Sequence, residues 1–297
     1  MTVLGCDVSL WQDEDSTPIM MDFNKSRHNG IGFVFIKTSQ STWCDPDYTM
    51  NWYNAKTAGL PRGGYHYMSW DTSAADQARF FWGMLKADHG ELSPVLDYEC
   101  RKNVPTRATA LKAFHEFINT FEALSPHKLM IYTSPGFWNE YGSATDIFAK
   151  DRLLWEANYY VGAPAPIPPW TNGCIVWQKT DKGDGIKYGA ESKTLDLNDF
   201  MGDAVRFKAT FGVDPATPTA PVPQPPPVLP QRVKMLTNVR VRSTPEEQAN
   251  LANVLGQAYT NSVWYVDGFS TDALGRVWYS LANEHAYVAS WVTVAVP

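Results

Sequence analysis

Asp97 and Glu99 stand two apart at the end of an apolar run, and that spacing is the strongest chemical signal in the sequence. In an extended strand, residues i and i+2 face the same side, with Cα atoms about 6.6 Å apart. Two carboxyls held together away from water repel, so one keeps its proton while the other stays ionised. Acid-assisted cleavage of a glycosidic bond needs that division: a proton for the leaving oxygen and an anion near the positive charge that develops on the sugar. An ion-paired strand end or a divalent metal site would use the same two residues.

Other strand ends carry chemistry too. Asp7 ends a first apolar run, Lys37 a second, Tyr65-His66-Tyr67 a third, and Asp196 with Asn198 a late one. Acids, one Lys and several aromatics converging in one place would make a sugar cleft. His66 alternates away from Tyr65 and Tyr67, so it reads as a packed side chain rather than a base.

The elements that position these residues follow from periodicity. Strands are expected at 3–8, 31–37, 64–68, 93–99 and 128–133. Between them, Thr17 and Pro18 are placed to open a helix that Gly30 closes, and Asp45 and Pro46 a second that Gly59 stops. Ser73 caps a third, and residues 106–124 carry Leu111, Phe114, Ile118 and Phe121 on one helical face. Five βα units in a row predict a parallel sheet, most simply a barrel of the TIM type, with chemistry at the C-terminal ends of its strands. Beyond Asp151 the helical patterns fade, and 153–157, 173–178 and 195–198 read as strands. The expected fold is an incomplete (β/α) barrel of the α/β class.

A Pro-rich stretch, 213–230, reads as a polyproline spacer. It divides a domain at 1–212 from a small all-β barrel at 231–297, whose expected strands are 239–242, 262–267, 276–281, 287–289 and 291–294, with a helical pattern only at 246–251. Acidic and basic residues balance in that second segment, so the net charge of −6 belongs to the rest.

That charge, with a pI near 5.5, argues against nucleic acid as a partner. No apolar run reaches the length of a membrane span, so no membrane insertion is expected, and the N-terminus does not read as a signal peptide. Cys6, Cys44, Cys100 and Cys174 form no C-x-x-C pair and the six His are scattered, so neither a metal nor a cofactor is expected. The thiols read as reduced and buried.

Seven segments, in order, resemble glycoside hydrolase family 25, the lysozymes that cut between N-acetylmuramic acid and N-acetylglucosamine. They are Gly5-Cys6-Asp7-Val8-Ser9, Phe35-Ile36-Lys37-Thr38, Gly64-Tyr65-His66-Tyr67, Asp97-Tyr98-Glu99, Trp155-Glu156-Ala157-Asn158-Tyr159, Trp177-Gln178 and Asp196-Leu197-Asn198-Asp199-Phe200. The resemblance covers the chain to about residue 210. It implies that Glu99 is the proton donor, that Asp97 supports the substrate's acetamido group or stabilises positive charge, and that Asp7 and Asp196 orient the site. It further implies that Lys37, Tyr65, Tyr67, Trp155, Tyr159 and Trp177 line the sugar subsites. Gln40 stands where the family often has Glu, so no acidic role is carried to that position.

The C-terminal segment resembles bacterial Src-homology-3-like wall-binding domains through Asn238-Val239-Arg240-Val241-Arg242-Ser243, Val277-Trp278-Tyr279 and Tyr287-Val288-Ala289-Ser290-Trp291-Val292. The resemblance implies a pocket around Trp278, Tyr279 and Trp291 for wall peptide or glycan. Together the two resemblances imply a peptidoglycan hydrolase of the phage endolysin kind. It would accumulate in the host bacterial cytoplasm and reach the wall through a lesion made by a separate holin-type protein. A chitinase-like glycosidase is the nearest enzyme rival, but its D-x-x-D-x-D-x-E motif would need acids where Leu92 and Val95 stand. A non-catalytic wall-binding protein is the rival from another class. A bell-shaped pH profile is expected, with Glu99 setting the base limb and the ionised carboxylates the acid limb.

Overall fold

Short apolar strands alternating with amphipathic helices have one economical solution: a sheet that hides one face inside itself and the other beneath its helices. The structure, a computed structural model, describes residues 2–12, 21–164, 166–219, 232–245, 253–272, 276–281 and 286–295. They fall into two compact units, one reaching to Thr219 and one lying beyond it.

In the first unit the chain runs β1 (Val3–Val8), α1 (Phe23–His28), β2 (Phe33–Gln40), β3 (Trp43–Cys44), α2 (Tyr48–Thr57), β4 (Arg62–Tyr67), α3 (Ala74–Leu85) and β5 (Val95–Asp97). It continues through α4 (Arg107–Leu124), β6 (Met130–Thr133), α5 (Pro135–Tyr141), α6 (Ile147–Lys150), β7 (Leu154–Ala157), β8 (Val176–Asp184), α7 (Gly185–Tyr188), β9 (Thr194–Phe200) and α8 (Ala204–Phe211). The sheet order is β1-β9-β8-β7-β6-β5-β4-β2-β3, and a further β1–β2 pairing joins the ends. Eight strands therefore close into a TIM-like barrel, with β3 hairpinned onto β2. Only β9 runs antiparallel to both of its neighbours in the ring.

Alternation along the strands sorts side chains into two layers. Phe33, Phe35, Val95, Met130, Tyr132, Trp155 and Phe200 fill the interior, while Cys6, Val34, Ile36, Leu96, Tyr98 and Ile131 face the helices. The interior is tight enough that a Cβ on Gly5 would lie 2.3 Å from the Phe33 ring. Phe207, on α8, belongs to the same interior cluster. That helix was not anticipated, although Phe207 and Phe211 stand one turn apart and pack together.

Helix starts follow their caps. The hydroxyl of Ser73 accepts from the Asp76 amide at the head of α3, and that of Thr106 from the Thr109 amide at the head of α4. Ser73→Ala should lower the unfolding free energy by about 1 kcal/mol, read from urea denaturation. Two starts differ from expectation. α1 is capped by Asp22, whose Oδ1 accepts from the Asn24 and Lys25 amides, and Thr17 and Pro18 lie outside the described residues. α2 starts after Asp47, because Asp45 is drawn inward and accepts from the Leu10 amide at 3.3 Å.

The start of the Pro-rich stretch packs on the barrel unit. Lys208 Nζ pairs with Asp214 Oδ2 at 2.8 Å, the Ala216 amide donates to Gly32 O at 2.9 Å, and Arg27 Nε donates to Thr217 O at 3.0 Å. Residues 214–219 are thereby tied down, and the rest of the stretch lies outside the described residues.

The second unit contains β10 (Arg232–Met235), β11 (Val239–Arg242), β12 (Val254–Ala258), β13 (Val263–Thr271), β14 (Val277–Leu281), β15 (Ala286–Ala289) and β16 (Thr293–Ala295). They form one antiparallel sheet in the order β12-β11-β15-β14-β13-β10-β16, so the described strands of this unit are all-β. Residues 290–292 make a single 3-10 turn where a strand was expected, and 246–251 lie outside the described residues. Trp278 corrects the expectation of an open aromatic pocket. It is 1% exposed and donates its indole N–H to Asp272 Oδ2, so it is core. Tyr279 is half-buried on the next position of the strand, and the Trp291 side chain lies outside what is described.

Candidate active site

Asp97 is the last residue of β5 and points into the barrel, buried, with its Oδ1 without a hydrogen-bond partner. Glu99 follows two residues on, past the end of the strand and nearer the mouth. Tyr98, between them, is locked on the opposite face. Its ring packs against Phe114, Phe137 and Trp138, its amide donates to Tyr132 O, and its carbonyl accepts from Thr133 Oγ1. That anchor fixes both acids on the inward side.

Lys37 comes in from β2. Its ammonium donates to Gln40 Oε1 at 2.9 Å and lies over the rings of Tyr67 and Trp43, 5.2 and 5.6 Å from their centroids. Burial pulls its pKa down, while Asp45, Asp97 and Glu99 push it back up. Gln40 therefore holds the Lys37 ammonium.

Across the seam of the barrel, Asp7 on β1 is in register with Asp196 on β9, and their carboxyls are hydrogen-bonded to each other. Two amides face Asp7. Gln178 Nε2 donates to both Asp7 oxygens at 3.0 and 2.9 Å, and Asn198 Nδ2 donates to Oδ2 at 2.8 Å. The hydroxyls of Tyr132 and Tyr159 donate to Gln178 Oε1, and the Trp155 indole donates to Asn198 Oδ1 at 2.8 Å.

Burial dominates the protonation of all four acids. It pushes Glu99 up to about 7, helped by the charge of Asp7 and opposed by Arg101 and Lys37. Asp97 is held well above the usual carboxylate range by burial and then by Glu99. Asp7 rises to about 6 through burial, restrained by the amides of Asn198 and Gln178. Asp196 rises to about 8 through burial and then the charge of Asp7. Near neutral pH the site thus holds a proton at its mouth on the Asp97–Glu99 pair and a negative charge on the Asp7–Asp196 pair.

The expected site residues divide clearly. Asp7, Lys37, Tyr65, Tyr67, Asp97, Glu99, Tyr159 and Asp196 come together at the C-terminal mouth of the barrel. Two expected sugar-lining residues do not. Trp155 is 1% exposed, stacked on Phe35 with centroids 4.6 Å apart and covered by Tyr65 and Tyr132, so it supports the site from beneath through Asn198 and these rings. Trp177 alternates outward, packs with the helix-facing cluster and donates to Asn158 O. His66 is outward and buried as expected, bonded to Ser39 and Gln77, and burial pushes it down to about 4.

Gln178 and Tyr132 were missed as site residues, and Asn198 was noted only as a strand end beside Asp196. Each stands an even number of positions from an inward residue on its own strand, and that signal could have found them. On the rim, Trp43 and Tyr160 are exposed, and Tyr160 is held at φ 60° with its hydroxyl on Asp181. The four Cys are free thiols, three of them buried. Among the described residues no group of three or more His, Cys, Asp or Glu could hold a metal ion.

Comparison with known proteins bears on this arrangement. A family model for the glycosyl hydrolases family 25 matches residues 6–186. The chain is 28% identical to Lysozyme M1 of Streptomyces globisporus over 220 residues, 70% of each chain. It is 28% identical to the N,O-diacetylmuramidase of a Chalaropsis species over 193 residues, 61% of this chain and 89% of that one. The crystal structure of the bacterial lysozyme from Streptomyces coelicolor superposes with a TM-score of 0.61 at 25% identity, covering 71% of this chain and 97% of that one. With its paired carboxyls at the mouth of a closed barrel, the chain belongs to glycosyl hydrolases family 25 and is a glycoside hydrolase.

Proposed function

We propose that the protein is an N-acetylmuramidase that cleaves the β-1,4 bond between N-acetylmuramic acid and N-acetylglucosamine in peptidoglycan. The observation that carries this reading is the pair of carboxyls Asp97 and Glu99 on the inward side of the barrel mouth, facing Asp7, with burial pushing Glu99 up to about 7. Glu99 gives its proton to the leaving glycosidic oxygen. Asp97, buried with its Oδ1 unpartnered, accepts the acetamido N–H. Lys37 restrains the rise of both acids, keeping them near the range in which a proton can be given and recovered. The muramidase and lysozyme relatives support the choice of substrate.

The second unit is proposed to bind the wall, with Tyr279 and Trp291 as candidate contacts. Holding the hydrolase on a polymer raises its local concentration there. Such a pairing suits a phage endolysin that waits in the host cytoplasm until a holin-type protein opens the membrane. Digestion of purified peptidoglycan, with mass analysis of the products, tests the activity. Fragments with N-acetylmuramic acid at the new reducing end are expected. Release of reducing ends from chitin alone would replace the reading with a chitinase-like one, and binding without release would leave a wall-binding protein.

A further inference from the structure

We propose that Gln178 is the positioning residue that decides which of two hydrogen-bonded carboxyls carries the negative charge: its amide, locked by Tyr132 and Tyr159, keeps the charge on Asp7 and the shared proton on Asp196. The proposal rests on the reading of Glu99 as proton donor only for its kinetic consequence.

The argument begins with which groups can only donate. An indole N–H has no acceptor capacity, so the Asn198 oxygen must face Trp155 and the Asn198 amide nitrogen must face Asp7. Gln178 likewise presents its nitrogen to both oxygens of Asp7 and its oxygen backwards. Two phenol hydroxyls then close on that oxygen, at 2.7 Å from Tyr132 and 2.5 Å from Tyr159. Flipping the amide would lose its contacts to Asp7 and Asp196 and aim an oxygen at a carboxylate. Asp7 thus receives three amide contacts, while Gln178 reaches Asp196 only at 3.4 Å. Donors stabilise the charged form of an acid, so the pair is polarised: charge on Asp7, proton on Asp196.

The polarisation matters because Asp7 is the neighbouring charge that most strongly holds the proton on Glu99. The other groups facing Glu99 are Lys37 from β2, Tyr67 from β4, Asp97 and Arg101 along its own segment, Tyr132 from β6, Tyr159 beyond β7, and Asp196 from β9. Moving the charge from Asp7 to Asp196 replaces the largest electrostatic support for that proton with that of a different carboxylate.

The test uses the full chain with 13C-labelled Asp carboxyls, followed by NMR against pH, beside pH–rate profiles on purified peptidoglycan. In the wild type, Asp7 is expected to titrate before Asp196. In Gln178→Met the order should reverse, and the base limb of kcat should move to lower pH by roughly half to one unit. Tyr132→Phe frees one side of the lock and should move both readouts the same way by less, which keeps the test decisive if Gln178→Met fails to fold. An unchanged titration order overturns the proposal, even if Gln178→Met loses activity evenly across pH. The order is independent of the identity of the proton donor, so activity surviving in Glu99→Gln would overturn the catalytic reading alone.

Discussion

Glu99→Gln should leave the fold and glycan binding intact and lower kcat on peptidoglycan about a thousandfold, the scale on which a positioned general acid contributes. The amide matches the shape of the protonated acid and cannot give a proton. The pH profile makes the assignment specific. In the wild type, activity should rise as Asp7 ionises near 6 and fall as Glu99 loses its proton near 7, giving a narrow bell. In the variant the residual rate should lack the falling limb. Initial rates of reducing-end release between pH 4 and 9 measure both effects. A variant that kept the upper limb would show that another group donates the proton.

Stability should run against this chemistry. A carboxyl whose folded pKa lies above its unfolded value binds more protons folded than unfolded, so stability falls as pH climbs through the interval between the two. Asp196 spans an interval from the ordinary value of 3.8 to about 8. Its penalty is therefore absent at pH 4, grows through neutrality and is complete above 8. Asp196→Asn replaces the acid with a neutral group that can still donate to Asp7. It should raise the unfolding free energy at pH 8 by about 2 kcal/mol and leave it unchanged at pH 4. The full shift would give more, but water and neighbouring side chains adjust around a half-buried group. Urea unfolding at the two pH values checks the sign, and equal effects at both would remove the linkage.

The acids were legible because a strand's period of two is a local property. β1 lies where expected, and Asp7, Asp97 and Asp196 each sit an even number of positions from a buried barrel residue. The strand carrying Asp97 is shorter than expected, since the Tyr98 amide still bonds Tyr132 O but the ladder stops there. Trp155 was misplaced for a reason no local pattern contains. Its ring is covered by Phe35, Tyr65 and Tyr132 from other strands, and that cover decides whether an inward Trp meets a sugar or other rings. Trp177 was avoidable: the alternation that turned His66 outward does the same to the neighbour of an inward Gln178. Trp278 likewise shows that a Trp in a small domain is first of all core. Donor geometry at Asp7 could not be read at all, because Tyr132, Gln178 and Asn198 meet only when distant strands close.

The seam between β1 and β9 also orders events in time. Asn198 bonds Asp7 across 191 residues of chain, so one half of the site leaves the ribosome with the first strand of the barrel and the other only with its last. Such sequence-distant pairing carries a large loop-closure cost and forms late. A nascent chain that has reached β8 already holds Asp97 and Glu99, but its first strand has no last strand to pair with and Asp7 has no Asn198. Catalytic competence therefore arrives with β9, after most of the barrel has been synthesised, and a prematurely terminated product carries the acids without the machinery that sets their charge.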